Sequence, residues 1–267
     1  MFNDFVTALQ FLTRIRIKQQ TAWDDNSFAR SVRFFPLVGC VIGLVLLLLL
    51  ILAMNMQLPA SLTAAMLIVA EIVITGGLTC DGYMDTADGV FSGRSRERML
   101  EIMKDSCVGA NAVIAFGIML LIKYSVYTEL SPMYLGMAVV VMPIMTRGLL
   151  VFNIRNYPYA RPSGIGGMFV GSGEKNGGII MSVACIVLLM YFAEFINITP
   201  DTAEIALPLL ILVAYNRLAA NYLNKVLGGL TGDTYGFLVE SGNLIYLLAL
   251  CIYLSNRTSI NLPGLSL

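Results

Sequence analysis

At residues 81–89 the chain reads Asp81-Gly-Tyr-Met-Asp85-Thr-Ala-Asp88-Gly89, directly after an apolar segment that extends from residue 60 to residue 79. The three carboxylates are separated by four and then three residues, and residues at these separations lie on one face of a helix. Three negative charges on one face repel one another unless a cation neutralises them. The stretch therefore predicts that an apolar helix ends at a cluster of metal-binding carboxylates, and the alternative is a solvated acidic loop.

Mg²⁺ is the cation that this cluster favours. Hard divalent cations take oxygen ligands and keep coordination positions for substrate phosphates, which makes Asp81, Asp85 and Asp88 a candidate clamp for a diphosphate. The chain contains no histidine, the usual ligand for transition metals and the usual imidazole base. Its five cysteines form no close pairs, so neither a disulfide framework nor a zinc site is indicated. The chemistry must rely on carboxylates and a hard metal.

Apolar segments of membrane-spanning length recur along the chain. Hydrophobic residues make up 57% of the 267 residues, and the mean hydropathy is +0.77. About 20 helical residues cross the hydrocarbon layer of a bilayer. The predicted spans are 36–56, 60–79, 108–128, 132–152, 178–197, 204–223 and 237–255. They predict an all-α polytopic bundle of about seven transmembrane helices, with one membrane-embedded catalytic domain over residues 1–267.

The first 18 residues predict an additional, amphipathic helix. Phe2, Phe5, Val6, Leu9 and Leu12 recur at helical spacing, and basic residues follow them. Such a helix suits the membrane interface, where it would act as an anchor or a lid. A short helix packed on the bundle is the alternative.

Basic residues are distributed unevenly between the two sides of the predicted membrane. With the N-terminus on the cytoplasmic side, 15 of the 17 Lys and Arg residues fall on or next to that side, and only Lys123 and Arg257 do not. This distribution satisfies the positive-inside rule. It places the segments 81–107, 153–177 and 224–236 together on the cytoplasmic face, where we expect the active site.

The first of these segments carries positive charge close behind the aspartates. Arg94, Arg96, Arg98 and Lys104 are candidates for phosphate contacts, since arginine and metal together suit a diphosphate. A cytoplasmic loop carries basic residues in any case, and that is the alternative.

Leu100, Met103 and Cys107 in the same segment lie at helical spacing. They predict a short amphipathic helix that brings Asp105 back to the membrane surface, close to the first three aspartates.

The third segment contains a second glycine and acid element, Gly228-Gly229-Leu-Thr231-Gly232-Asp233-Thr-Tyr-Gly236. Glycines such as Gly229 and Gly232 allow close approach of the backbone to phosphate, and Thr231 offers a hydroxyl. Asp233 is a candidate metal ligand or general base. In the middle segment, alternating tyrosines and arginines could stack on a nucleotide, but interfacial tyrosines are the more common explanation.

Glu71 and Lys123 are ionisable residues inside predicted spans, and their charges need an explanation. A charge at such depth is costly, so Glu71 is expected to face a cavity or a partner. It could pair with Lys123 or be protonated, and coupling to transport is the competing interpretation.

Four motifs in this order resemble those of the cobalamin synthase family, the adenosylcobinamide-GDP ribazoletransferases. They are Phe34-Phe35-Pro36-Leu-Val-Gly39, the block from Gly76 to Gly89, Leu100-Glu-Ile-Met-Lys104-Asp105-Ser106 and Gly228-Gly-Leu-Thr-Gly-Asp233. The resemblance extends from the region of Thr13-Arg14 to Asn243, which is nearly the whole chain. One departure is Thr79, which stands where members of the family commonly have histidine.

The resemblance implies a polytopic enzyme of the bacterial inner membrane that uses Mg²⁺. Its substrates would be adenosylcobinamide-GDP and α-ribazole or its 5'-phosphate, its products the cobamide and GMP. A ribazole hydroxyl would attack the phosphorus that carries the cobinamide, a reaction that needs charge neutralisation and positioning more than a nucleophilic side chain. The expected surroundings are the lipid bilayer, other copies of the chain and other enzymes of nucleotide-loop assembly, without nucleic acid.

The residues then take these expected roles. Mg²⁺ would be held by Asp81, Asp85 and Asp88, with Asp105 and Asp233 as further ligands or as the base, while Arg94, Arg96, Lys104, Gly229, Thr231 and Gly232 would contact substrate. The alternatives are a lipid alcohol phosphotransferase or prenyltransferase with an aspartate-rich Mg²⁺ site, and an ion-coupled transporter, which Glu71 and the glycine-interrupted helices would suit.

Overall fold

The fold was analysed in a computed structural model, which describes residues 2–18, 25–161, 177–195 and 202–260. The helices are α1 (Phe2–Leu12), α2 (Asp25–Ser31), α3 (Phe35–Asn55), α4 (Ala60–Thr75), α5 (Leu78–Phe91), α6 (Arg96–Ile102), α7 (Ala110–Glu129), α8 (Pro132–Asn156), α9 (Gly177–Phe195), α10 (Thr202–Leu227) and α11 (Gly232–Ile260). Over the described residues no strand forms, and the only bridge pairs Tyr159 with Leu230. The predicted all-α fold is confirmed.

Several helices are long and apolar enough to cross a membrane. Five such segments are Phe28–Asn55, Ala110–Glu129, Pro132–Asn156, Ala203–Leu227 and Gly232–Arg257. The bent pair α4 and α5 makes a sixth, and α9 contributes a shorter apolar stretch. The protein is therefore a multi-pass membrane bundle. Each of the seven predicted spans falls on a helix, although the second helix ends at Thr75 rather than at residue 79.

Helix α8 lies at the centre of the bundle, since 89% of its most apolar window is buried. Helix α3 packs closely on it through two glycines. A Cβ at Gly39 would lie 2.3 Å from the carbonyl oxygen of Pro143, and a Cβ at Gly43 would lie 2.7 Å from the Cα of Val140. Glycines therefore let the backbones of α3 and α8 pack in direct contact, as small residues commonly do between membrane helices. The peripheral helices instead expose leucine, isoleucine and valine outward, as lipid contact requires.

Helix α1 packs against the bundle. Val6, Leu9 and Leu12 are buried in the core, whereas Phe2 is 72% exposed and does not belong to the packed face. Asp4 is buried and pairs with the guanidinium of Arg33, with 3.1 Å between Oδ2 and Nη2. The helix ends at Leu12, before the basic residues. The structure therefore has the helix that the sequence predicts, packed on the bundle, and its place at the membrane interface stays a prediction.

Candidate active site

Two glycines separate α4 from α5. Gly76 and Gly77 have φ angles of +64° and +72°, in the left-handed region that favours glycine. The two helices are bent by 92° at this break, and Asp81 lies in the first turn of α5. Asp81, Asp85 and Asp88 therefore lie in a helix, as their spacing predicts, but this helix is a second one that begins after the glycines and does not continue α4.

Helix α5 crosses the start of α11 at close range. A Cβ at Gly82 would lie 2.6 Å from the carbonyl oxygen of Asp233, and a Cβ at Gly236 would lie 2.8 Å from that of Thr79. The rings of Tyr83 and Phe237 stack beside this crossing, with 5.2 Å between their centroids. The glycines of both motifs thus serve helix packing, and this packing brings the acids of the two motifs together.

Three carboxylates and one guanidinium meet at this crossing, and we call Asp81, Asp85, Asp233 and Arg161 the open cluster. Asp85 interacts electrostatically with Asp81 and Asp233, which repel it, and with Arg161, which attracts it. Nη2 of Arg161 lies 2.7 Å from Oδ2 of Asp233. Asp81 is exposed, while Asp85 and Asp233 are half-buried. Negative charge therefore exceeds positive charge at a site open to solvent.

The open cluster suits a hard cation. Its donors are carboxylate oxygens, which Mg²⁺ prefers, and the excess of negative charge favours any divalent cation. In the part of the chain that the structure describes, no three acidic or cysteine side chains are already arranged to hold a metal ion. Mg²⁺ does not require such an arrangement, since it commonly takes one or two carboxylates and completes its shell with water and substrate phosphate. The residues present fit that mode of binding.

Asp88 has a different position from the other two aspartates of its motif. It is buried, and its two oxygens accept hydrogen bonds from the backbone N–H groups of Gly109 (2.5 Å) and Ala112 (2.9 Å). These groups belong to the N-terminus of α7, where a carboxylate satisfies free N–H groups and interacts favourably with the helix dipole. Asp88 thus anchors α7 to α5 instead of facing solvent with Asp81.

Asp105 lies in the exposed turn between α6 and α7. Its Oδ1 accepts a hydrogen bond from the N–H of Cys107 at 3.0 Å, and this bond holds the pKa of Asp105 below its ordinary value. Helix α6 forms as predicted. Its buried side chains are Met99 and the C-cap residue Met103, while Cys107 is exposed. The carboxylate of Asp105 is therefore engaged by its own turn.

The second glycine motif pairs with the segment after α8. The N–H of Leu230 donates to the carbonyl of Pro158, and the N–H of Ala160 donates to the carbonyl of Leu230, both at 2.8 Å. Gly229 makes this pairing possible, since a Cβ there would lie 2.7 Å from the N of Ala160. This contact holds Arg161 next to the start of α11.

Thr231 is fully buried and caps α11. Its Oγ1 accepts the N–H of Thr234, while Oγ1 of Thr234 accepts the N–H of Thr231. Its hydroxyl also lies 3.4 Å from Oδ2 of Asp233. Gly232, the first residue of the helix, is exposed, and a Cβ there would meet open space. Thr231 therefore orients Asp233, and Gly232 is the part of this motif that a ligand can reach.

The basic residues of the first segment fall into two groups. Nε of Arg96 donates to the carbonyl of Leu227 at 2.7 Å and so caps the end of α10. Arg98 pairs with Glu101 on the surface of α6. Arg94 and Lys104 lie exposed near the two ends of the same helix. Arg96 thus joins α6 to the second glycine motif, and Arg94 and Lys104 present their charges to solvent.

A second group of charges lies inside the bundle, beneath the start of α5. Nζ of Lys123 lies 2.6 Å from Oε2 of Glu71 and 3.8 Å from Oε2 of Glu240. Arg147 is buried as well and interacts electrostatically with both glutamates. We call Glu71, Lys123, Arg147 and Glu240 the buried network. It confirms the predicted pairing of Glu71 with Lys123.

Two polar residues extend the buried network. Oγ1 of Thr79 donates to Oε1 of Glu240 at 2.5 Å, and Nδ2 of Asn243 approaches Oε1 of Glu71 at 3.4 Å. Thr79 belongs to α5, two residues before Asp81. The network is therefore joined directly to the helix that carries the open cluster.

Comparison with known proteins gives a consistent result. A family model described as Cobalamin-5-phosphate synthase matches residues 4–251. An adenosylcobinamide-GDP ribazoletransferase of Desulfitobacterium hafniense is 36% identical over 247 residues, which cover 90% of this chain and 93% of the relative. Proteins with the same name from Alkaliphilus metalliredigens and Clostridium botulinum are 34% and 35% identical, over 92% and 94% of this chain and 94% and 98% of the relatives. No solved structure matches the chain.

Proposed function

The chain belongs to the cobalamin-5-phosphate synthase family, and we propose that it joins adenosylcobinamide-GDP to α-ribazole at the open cluster with the help of Mg²⁺. Its activity is that of an adenosylcobinamide-GDP ribazoletransferase, a membrane enzyme of cobalamin biosynthesis. The observation that supports this location is the electrostatic interaction of Asp85 with Asp81, Asp233 and Arg161, together with the ion pair between Arg161 and Asp233. Because the chain belongs to this family, we no longer interpret it as a lipid phosphotransferase or a transporter.

Asp81 and Asp85 are the residues that would hold Mg²⁺, and Asp233 lies in the same cluster as the candidate base. A bound divalent cation would neutralise the diphosphate of adenosylcobinamide-GDP and so favour displacement at phosphorus. We leave Asp88 out of this set because both its oxygens already accept backbone hydrogen bonds from α7. Asp105 is left out because its carboxylate is bound within its own exposed turn.

The remaining groups of the open cluster position the reactants. A ribose hydroxyl of α-ribazole, or of its 5'-phosphate, attacks the phosphorus that carries the cobinamide, and the bond from that phosphorus to GMP breaks. Asp233 is suited to accept the proton of the hydroxyl, because Arg161 and Thr231 fix its carboxylate. Arg94 and Lys104 are exposed near the two ends of α6, and they stay the candidates for contacts with phosphate oxygens of the substrate.

We place this end of the bundle on the cytoplasmic side of a bacterial inner membrane. The support is the distribution of charge, since 15 of 17 Lys and Arg residues fall on or next to the side that carries the open cluster. Assembly into homo-oligomers and association with other enzymes of nucleotide-loop assembly remain predictions.

The test is to incubate the purified protein with adenosylcobinamide-GDP and α-ribazole, with and without Mg²⁺, and to follow cobamide and GMP by chromatography and mass. We expect equal amounts of both products, only in the presence of a divalent cation. Full product formation after removal of divalent cations would contradict the role of Mg²⁺. No product from a folded sample, with either α-ribazole or its 5'-phosphate, would contradict the function itself.

A further inference from the structure

A groove of about 480 Å³ opens beside Asp81, between the end of α1 and the break that separates α4 from α5. Phe11, Leu78 and Met84 form apolar walls. Of the residues that line it, only Arg14 carries a positive charge and only Asp81 a negative one. Pockets of this volume, with apolar walls and a few convergent polar groups, are typical of small-molecule sites.

Arg14 is held across the break. Its backbone N–H donates to the carbonyl of Ile74 at 2.7 Å, and its Nη2 lies 3.4 Å from the carbonyl oxygen of Gly76. A Cβ at Gly76 would come within 2.0 Å of Nε of Arg14, so the side chain lies directly on this glycine. Because an arginine has five N–H donors, this single long hydrogen bond leaves donors that can face the groove.

We propose that this groove binds the acceptor nucleotide, with Arg14 contacting its 5'-phosphate and Asp81 marking the end at which its ribose hydroxyl reacts. The inference rests on the proposed function, because it names the subsite of one of the two substrates. The acceptor must bring a hydroxyl to the open cluster, and Asp81, which belongs to that cluster, lines the groove. Its planar aromatic base suits walls of Phe11 and Met84.

The phosphate is the feature that distinguishes the two forms of the acceptor. Guanidinium groups bind phosphate through charge-assisted hydrogen bonds, which are about twice as strong as neutral ones. Free α-ribazole has no such group and would gain nothing from Arg14. The groove therefore predicts that the enzyme prefers α-ribazole 5'-phosphate to α-ribazole and that Arg14 is the residue that causes this preference.

The experiment compares kcat/KM for α-ribazole 5'-phosphate and for α-ribazole, at saturating adenosylcobinamide-GDP, in the full-length protein and its variants. Arg14→Gln should lower kcat/KM for the phosphorylated acceptor by about tenfold or more, mainly through KM, because it removes a charge-assisted contact. The value for the free nucleoside should stay within about twofold, since that contact is absent there. Arg14→Lys keeps the charge and should show a smaller loss with the same selectivity.

Arg16→Gln is the matched control, because Arg16 is exposed nearby but does not line the groove. An equal loss for both acceptors in Arg14→Gln and Arg14→Lys would overturn the inference, since it would mean that Arg14 only braces the break or binds a lipid phosphate. An unchanged ratio of the two kcat/KM values would also overturn it. If the unmodified protein used neither acceptor, the proposed function would fail, and the subsite with it.

Discussion

Two groups of charged side chains adjoin α5, and they differ in net charge and in exposure to solvent. The open cluster has three carboxylates and one guanidinium at a surface that solvent reaches. The buried network has two carboxylates and two cations, and each of its four residues is at most 4% exposed. Burial forces the network to pair its charges. The open cluster can keep an excess of negative charge, which is what a site for a cation and a diphosphate requires.

The two groups are linked through Thr79, whose hydroxyl binds Glu240 while the following turn carries Asp81. We infer that the network fixes α5 and that the open cluster performs the chemistry. Variants in the two groups should therefore fail differently. Those in the open cluster should lose turnover with the fold intact, and those in the network should lose stability.

The largest expected effect is that of Asp85→Asn. This change keeps the shape of the side chain and removes one charge from the centre of the open cluster, so turnover should fall by about 1000-fold or more. The measurement is single-turnover formation of GMP, together with the thermal unfolding of the variant in detergent. Glu101→Gln, on the exposed surface of α6, is the control. A large loss of stability in Asp85→Asn would mean that the carboxylate is structural.

The next effect concerns the buried network. Lys123→Met should lower the free energy of unfolding by about 3–5 kcal/mol, because Glu71 and Glu240 lose the cation that forms ion pairs with both of them in an apolar interior. Denaturant unfolding in detergent measures this loss. Adding Glu71→Gln to the same chain should restore part of the stability, since one unpaired charge disappears. If Lys123→Met alone were as stable as the parent protein, this would contradict the structural role of the buried network.

A smaller effect is expected at the helix crossing that joins the two groups. Gly82→Ala places a Cβ 2.6 Å from the carbonyl oxygen of Asp233, so α5 and α11 must move apart. Displacement of reacting groups by about 1 Å costs on the order of 100-fold in rate, and we expect a loss of that size in kcat. Gly117→Ala is the control, because a Cβ there meets open space. Equal kinetics in the two variants would show that the crossing does not set the geometry.

Thr79→Val should have the smallest effect. It removes the donor to Glu240 and leaves a buried carboxylate oxygen without that hydrogen bond, at a cost of about 1–3 kcal/mol in the free energy of unfolding. Thr79→Ser keeps the hydroxyl and should retain most of the stability. The thermal unfolding of both variants decides this. If Thr79→Val were as stable as the parent protein, the hydrogen bond to Glu240 would not contribute to stability.

The open cluster was easier to predict from sequence than the buried network. Asp81 and Asp85 are four residues apart, so the helical period alone places them on one face. The sequence also indicates Asp233, because its glycine-rich motif follows the predicted span 204–223. Nothing in the sequence distinguishes Arg161 from the other arginine of the middle segment, Arg155. Its contact with Asp233 depends on the pairing of Leu230 with that segment, which no local pattern reveals.

The buried network comes from four helices, and only part of it could be predicted. Glu71 and Lys123 were conspicuous because each lies within an apolar span, and their pairing followed from the cost of isolated charges. Arg147 and Glu240 lie near predicted span ends, where charges are ordinary. Asp88 was assigned to the metal because spacing cannot distinguish a carboxylate that faces solvent from one that caps the next helix.

The measurement that tests the central claim most directly is the concentration of Mg²⁺ that gives half-maximal turnover, in the parent, in Asp81→Asn and in Glu240→Gln. Loss of one carboxylate should raise that concentration by about 10-fold or more in Asp81→Asn, because a ligand to the cation is weakened. Glu240→Gln should lower stability or kcat but leave the Mg²⁺ requirement unchanged. An unchanged requirement in Asp81→Asn, or a raised one in Glu240→Gln alone, would contradict the assignment of the cation to the open cluster.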